Sequence, residues 1–151
     1  MRDKRFVADH RGGLLRKEQH RQLATWACNC SQHVLRLIGL ATADRLTSVL
    51  KVAEDWVQGK ASVGEARSAS IEALQVAREA ADPITIAVAR SVGQAVATAH
   101  MADHSLAAAW YALKAVSEAA GDAEKERQWQ DLQLSVEIKE LVLSAREKKN
   151  L

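Results

Sequence analysis

The sequence predicts an all-α fold, a single-domain bundle of about six to seven helices around a central apolar helix at about 83–101. Alanine is abundant and the 151 residues include one proline, a composition that favours helix because alanine has the highest helix propensity. Strand-like alternation of apolar and polar residues is missing over any useful length. The central segment is apolar on nearly every side, as expected of a helix inside a bundle. Arg90, Gln94 and its limited length argue against a membrane span, which needs roughly 20 predominantly apolar residues.

Residues 1–13 are predicted to form a basic N-terminal arm, residues 14–146 a single helical domain and residues 147–151 a frayed polar tail. The charged N-terminus lacks the apolar run of a signal peptide, so we expect a cytoplasmic protein. The net charge of +2 is close to balanced and indicates no strong attraction to nucleic acid or to a membrane.

The first three helices follow from apolar spacing and from residues typical of helix ends. Apolar residues recurring every three or four positions predict helices at about Leu15–Ile38 and Ala43–Gln58. Ser62 and Glu65 have the spacing of a capping box, in which each side chain satisfies a free backbone donor of the other residue. The third helix is expected to begin there and to continue to about Ala81.

The second half of the chain also shows helix starts and stops. Residues 82–83, aspartate then proline, are typical of a capped helix start and begin the central helix. We expect a turn at 100–104, with Asp103 capping a fifth helix that ends at Gly121. Asp122 is expected to cap the last helical region. In that region the apolar face changes direction, which predicts a break near 134–135.

The densest group of potential ligands or proton carriers is His100, Asp103 and His104. Two histidines four apart on a continuous helix could share a zinc ion, but a turn here makes helix capping or a polar ligand pocket the alternatives. Cys30 and His33 are a poor zinc signature because no second ligand pair accompanies them. Phosphate-binding loops and nucleophile motifs are missing, which favours a protein that is not an enzyme. We predict no catalytic residue, no metal ligand and no cofactor.

Arg90 and Gln94 lie four residues apart on the central helix and present a second candidate site. A buried guanidinium needs a partner, for which Glu65, Glu72 and Glu118 are the candidates. The alternatives are a structural ion pair, a narrow strip facing solvent, or an anchor for a ligand.

Four stretches of the chain resemble the immunity proteins of bacterial polymorphic toxin systems. These stretches are MRDKRFVADHRGGLLRKEQHRQLATWA, ASVGEARSASIEA, AVARSVGQAVATAHMADHSLAAAWYALKAV and ERQWQDLQLSVEIKELVL. The resemblance extends over nearly the whole chain and is most specific around Ala97–Ala108. It implies an all-helical, cytoplasmic, non-catalytic protein that binds and neutralises a cognate toxin domain, and it brings no catalytic residues.

Exposed aromatic residues would be the natural anchors of such an interface, because aromatics and arginine dominate binding energies. Helical spacing puts Trp56 and Trp110 on core faces, whereas Trp26 and Tyr111 lie beside or off them and are the better candidates. The candidate binding residues are therefore Trp26, Arg90, Gln94, His100, Asp103, His104 and Tyr111. Two alternatives stay open: a small helical metal- or ligand-binding protein or hydrolase centred on His100, Asp103 and His104, and a self-associating structural module such as a homodimer.

Overall fold

The computed structural model describes residues 2–151, which form seven α-helices and no β-strand. The prediction of an all-α, single-domain bundle is confirmed. The helices are α1 (Lys17–Val34), α2 (Leu40–Val57), α3 (Val63–Glu79), α4 (Pro83–Ala97), α5 (His104–Glu118), α6 (Ala123–Leu132) and α7 (Val136–Lys149).

The predicted central helix is α4, which packs against α1, α2, α3 and α5. Its small residues allow close approach: a Cβ atom added at Gly93 would lie 3.5 Å from the Cβ of Ala73 on α3. The helix ends at Ala97 instead of about residue 101. The chain tightens there, because the amides of Ala99 and His100 donate to carbonyls only three residues earlier, at 3.2 and 3.1 Å.

The predicted helix starts are confirmed at three positions. Ser62 and Glu65 form the capping box, with bonds of 3.0 and 3.1 Å. The carboxylate of Asp82 accepts from the Thr85 amide at 2.8 Å, with proline in the first turn of α4. Asp122 caps α6 in the same way. These bonds satisfy amides that the helix itself leaves without an acceptor.

The prediction that the Asp103 side chain caps α5 is wrong. Asp103 precedes the helix, but its side chain accepts no capping bond. Its carboxylate lies 3.5 Å from Nε of Arg2 instead, so the N-terminal segment is tied to the start of α5 by an ion pair.

The break predicted near 134–135 separates α6 from α7. It allows Ile138 and Val142 of α7 to pack with Leu23 and Trp26 of α1 in a second core cluster, beside the main cluster around α4. Ser135 precedes α7 without a capping bond, because its hydroxyl donates to the side chain of Gln22.

The N-terminal segment folds onto this second cluster through short 3-10 turns. Phe6 and Leu15 are buried. The amide of Leu15 donates to the carbonyl of Val7 at 2.9 Å, and that of Asp9 donates to the carbonyl of Leu15 at 2.9 Å. This extended pairing holds Leu15 outside α1, which therefore starts at Lys17 and not at about residue 15 as predicted.

Candidate functional site

Five of the candidate residues lie side by side where α4 meets α5. The guanidinium carbon of Arg90 lies 5.9 Å from the centre of the Tyr111 ring. One helical turn further along α4, Oε1 of Gln94 lies 2.6 Å from Nδ1 of His104. The His104 ring centre is 5.3 Å from that of His100. Arg90 and Gln94 of α4 therefore form a continuous strip with Tyr111 and His104 of α5, and His100 adds to it from the turn between the two helices. Asp103, the residue before His104, lies at the same end and pairs with Arg2. We call these six candidates the α4–α5 seam.

Trp26, the seventh candidate, is not part of the seam, and its predicted exposure is wrong. It is 1% exposed, and its indole N–H donates to the backbone carbonyl of Gln130 at 2.8 Å. The connection after α6 lets α7 cover this side of α1, which helical spacing within α1 alone does not show.

The prediction for Trp110 is also wrong, but in the opposite sense, because this side chain is more exposed than expected. Predicted on the core face of α5, it is 38% exposed. The core face of α5 is centred on alanines, Ala108, Ala109, Ala112 and Ala115, so Trp110 lies at its edge. It meets Tyr111 edge to face, with ring centres 5.0 Å apart. Two aromatic rings are thus available at one end of the seam.

Arg90 is exposed and has no ion-pair partner among residues 2–151. Of the acids named as candidates, Glu72 pairs with Arg45 at 2.6 Å and Glu65 completes the capping box. Within this range the structure therefore shows no structural ion pair at Arg90, and its guanidinium faces solvent, free to meet a partner.

A cleft of about 400 Å³ lies at the other end of the seam, between the N-terminal segment, the start of α1 and the turn after α4. Three histidines contribute to its lining, His10, His20 and His100. His20 was missed by the sequence analysis because no neighbour in sequence marks it. Its Nε2–H donates to the carbonyl of Thr98 at 2.6 Å, and its ring lies 4.9 Å from that of Trp56.

Burial disfavours the charged form of two histidines that line this cleft, His20 and His100, and of His104 in the seam beside it. It lowers the pKa of His20 below its ordinary value of 6.5, although the bond to the Thr98 carbonyl acts in the opposite direction. Burial also lowers the pKa of His100, with further contributions from His104 and from arginines nearby. The pKa of His104 is likewise lowered by burial, which the charge of Asp103 partly offsets.

Acidification should therefore destabilise the fold. A histidine whose pKa is lowered in the folded state binds its proton more readily when unfolded, so stability is lost as the pH falls from 6.5 towards the folded value. We expect the urea concentration at the unfolding midpoint to decrease when the pH is lowered from about 7.5 to about 5.5. Urea titration followed by circular dichroism measures it.

The test variant is His20→Gln and its control is Gln32→Ala. Glutamine at position 20 keeps a donor for Thr98 but cannot titrate, so this variant should lose less stability on acidification than the wild type. Gln32 is exposed on the same helix and carries no titratable group, so its replacement should leave the pH dependence unchanged. An equal slope in all three proteins would contradict this assignment.

The structure adds no third ligand to the histidine pair at 100 and 104. No group of three or more His, Cys, Asp and Glu side chains within residues 2–151 is placed so that it could hold a metal ion. Cys28 and Cys30 are free and buried, and burial raises the pKa of Cys28 to about 12. At neutral pH that thiol is protonated and is a poor metal ligand or nucleophile.

A buried polar network behind Trp26 was also missed. Arg146 is 1% exposed, donates to Asp131 at 2.7 Å and to the side-chain oxygen of Gln130, and lies over the Trp26 ring. Gln130 in turn donates to the carbonyl of Ala109 at 3.1 Å. The network connects four helices, α1, α5, α6 and α7, and supports the scaffold from the inside.

Comparison with known proteins decides the family. The model of the family described as Imm-5 like putative immunity protein matches residues 13–137. The chain belongs to this family. The matched range includes the whole α4–α5 seam, and the match confirms the resemblance to immunity proteins noted from the four sequence stretches. No curated protein and no solved structure matches this member of the Imm-5 like family.

Within residues 2–151 of this Imm-5 like protein, no helix is long and apolar enough to cross a bilayer.

Proposed function

We propose that this Imm-5 like protein is an immunity protein that neutralises a cognate bacterial toxin domain by binding it in the cytoplasm. The observation that carries the proposal is the family match over residues 13–137. The toxin domain would belong to a polymorphic toxin system, whose producing cell needs protection from its own toxin.

The architecture suits this role physically. An inhibitor of this kind needs a rigid scaffold and a complementary surface, and it needs no reactive group. Rigidity favours affinity because less conformational freedom is lost on binding. Two core clusters and the network at Arg146 supply that rigidity. A standard interface buries about 1,600 Å² in total, which a domain of this size can provide.

Co-expression tests the proposal. A bacterial host producing the cognate toxin domain should stop growing, and co-production of the chain should restore growth. The two proteins should then purify together as a stable complex. A toxin domain from an unrelated system is the control and should stay toxic. Growth arrest that persists while the folded chain accumulates would contradict an immunity function.

A further inference from the structure

We propose that the toxin docks on the face formed by α3, α4 and α5, and that the matching toxin surface is acidic around an apolar centre. The inference rests on the proposed function and names the surface and the partner's chemistry. We define this docking face by six residues: Ile71, Leu74, Arg90, Trp110, Tyr111 and Lys114.

The centre of the docking face is concave and mostly apolar, although Arg90 and Gln94 also line it. Ile71 and Leu74 on α3 are 66% and 43% exposed. Between Leu74 and Tyr111 lies a groove of about 460 Å³, above small residues of α4 that include Gly93. A protruding apolar side chain of a partner could enter this groove and bury the exposed area on both proteins. Burial of this kind is the main favourable term in protein association.

The aromatic side of the docking face is held in place before any partner arrives. Tyr111 is fixed between Trp110 and Arg90, whose guanidinium carbon lies 5.9 Å from the ring centre. Nζ of Lys114 lies 5.6 Å from the ring centre of Trp110. Tryptophan, tyrosine and arginine are the residues most enriched among binding hot spots. Fixing their positions in advance reduces the entropy lost on binding.

The charge of the docking face defines the partner. Arg67 and Arg78 share a helical stripe with Ile71 and Leu74, at spacings of four, three and four residues. Together with Arg90 and Lys114 they bring four cations to this side of the bundle, and none of the four has an ion-pair partner within residues 2–151.

Two acids on α3 are held away from these cations. On the opposite side of α3, Glu72 and Glu79 are both bound to Arg45 of α2, at 2.6 and 2.9 Å. On α5, Glu118 lies one turn beyond Lys114 and offsets one of the four positive charges in part, so this side keeps an excess of positive charge. A partner with carboxylates placed around the groove would therefore be favoured, and a basic partner would be repelled.

Calorimetric titration with an inactivated form of the toxin domain that this chain neutralises in the co-expression test measures binding at the docking face. Arg90→Glu and Trp110→Ala should each weaken binding by about tenfold or more, since one reverses a central charge and the other removes an anchor. Raising the salt concentration should weaken binding of the wild type more than that of Arg90→Glu.

Two control variants match these changes away from the docking face. Lys139→Glu reverses an exposed charge on α7, and Leu132→Ala truncates an exposed apolar side chain on α6. Both should bind within about twofold of the wild type, because interface energy is concentrated in few residues. Circular dichroism of each variant verifies folding.

The outcomes separate the two proposals. Absence of binding by the wild type would overturn the proposed function and the docking face with it. Tight wild-type binding that survives both Arg90→Glu and Trp110→Ala would overturn the docking face alone. A wild-type homodimer in light scattering that Trp110→Ala dissociates would assign this face to a second copy of the chain and would also overturn the inference.

Discussion

Replacing Arg146 with alanine is expected to lower the free energy of unfolding by about 3 kcal/mol, a large part of the stability of a small domain. The guanidinium bridges Asp131 and Gln130 and lies over the Trp26 ring, with its carbon 5.3 Å from the ring centre. Its removal leaves the buried Gln130 oxygen without a donor and opens a void beside Trp26. Asp131 is 30% exposed, so water can solvate its carboxylate, and we expect the lower end of the range known for broken buried pairs.

Urea unfolding followed by circular dichroism measures this loss. Lys149→Ala is the matched control, because Lys149 is an exposed cation on the same helix and its truncation should change stability by less than about 0.5 kcal/mol. A loss below about 1 kcal/mol for Arg146→Ala would show that the network does not support the scaffold.

Gly13→Ala is expected to release the N-terminal segment and to cost about 3 kcal/mol. A Cβ atom at this position would lie 2.0 Å from the backbone oxygen of Val7. No rotamer change relieves an overlap with backbone, so the pairing of Val7 with Leu15 must open. Phe6 and Leu15 would then lose their burial against the second core cluster.

Thermal unfolding and limited trypsin digestion together measure this effect, because the released segment carries several lysines and arginines. Gly64→Ala is the control. A Cβ atom there would meet only the Ser62 hydroxyl at 3.7 Å, an ordinary contact, and alanine in α3 should raise stability by up to about 1 kcal/mol. Equal melting temperatures and equal digestion of the wild type and Gly13→Ala would contradict the account of this segment.

Much of the fold was predictable because its determinants are local. The capping box at Ser62, the aspartate–proline start of α4 and the break between α6 and α7 each depend on residues within one helical turn. The central position of α4 also followed from its sequence, since a helix that is apolar on all sides must be covered on all sides.

The predictions were wrong where contacts between distant segments determine the burial or the partner of a side chain. Trp26 is buried because α6 and α7 cover it: its indole N–H donates to Gln130 of α6, and Arg146 of α7 lies over its ring. Arg146 is buried because Gln130 and Asp131, on the other side of the turn between α6 and α7, accept its hydrogen bonds. Asp103 forms an ion pair with Arg2, about a hundred residues earlier in the chain, and does not accept hydrogen bonds from the first amides of α5. No periodicity within a single helix contains this information.

The candidate site was predictable in its members more than in its geometry. Arg90 and Gln94 were identified from their polarity within an apolar helix, and His100 and His104 from their density. Their meeting in one seam depends on α4 and α5 packing side by side, which brings Gln94 to His104 and Arg90 to Tyr111. Trp110 was assigned to the core because an alanine-rich helix buries a narrower face than its apolar residues suggest.

The decisive experiment is calorimetric titration of the wild-type chain with an inactivated form of its toxin domain. We expect a 1:1 complex with a dissociation constant below about 1 µM, and in a parallel assay the active toxin should lose its activity when the chain is added. Absence of any complex at tens of micromolar, with both proteins folded, would contradict an immunity function for this chain.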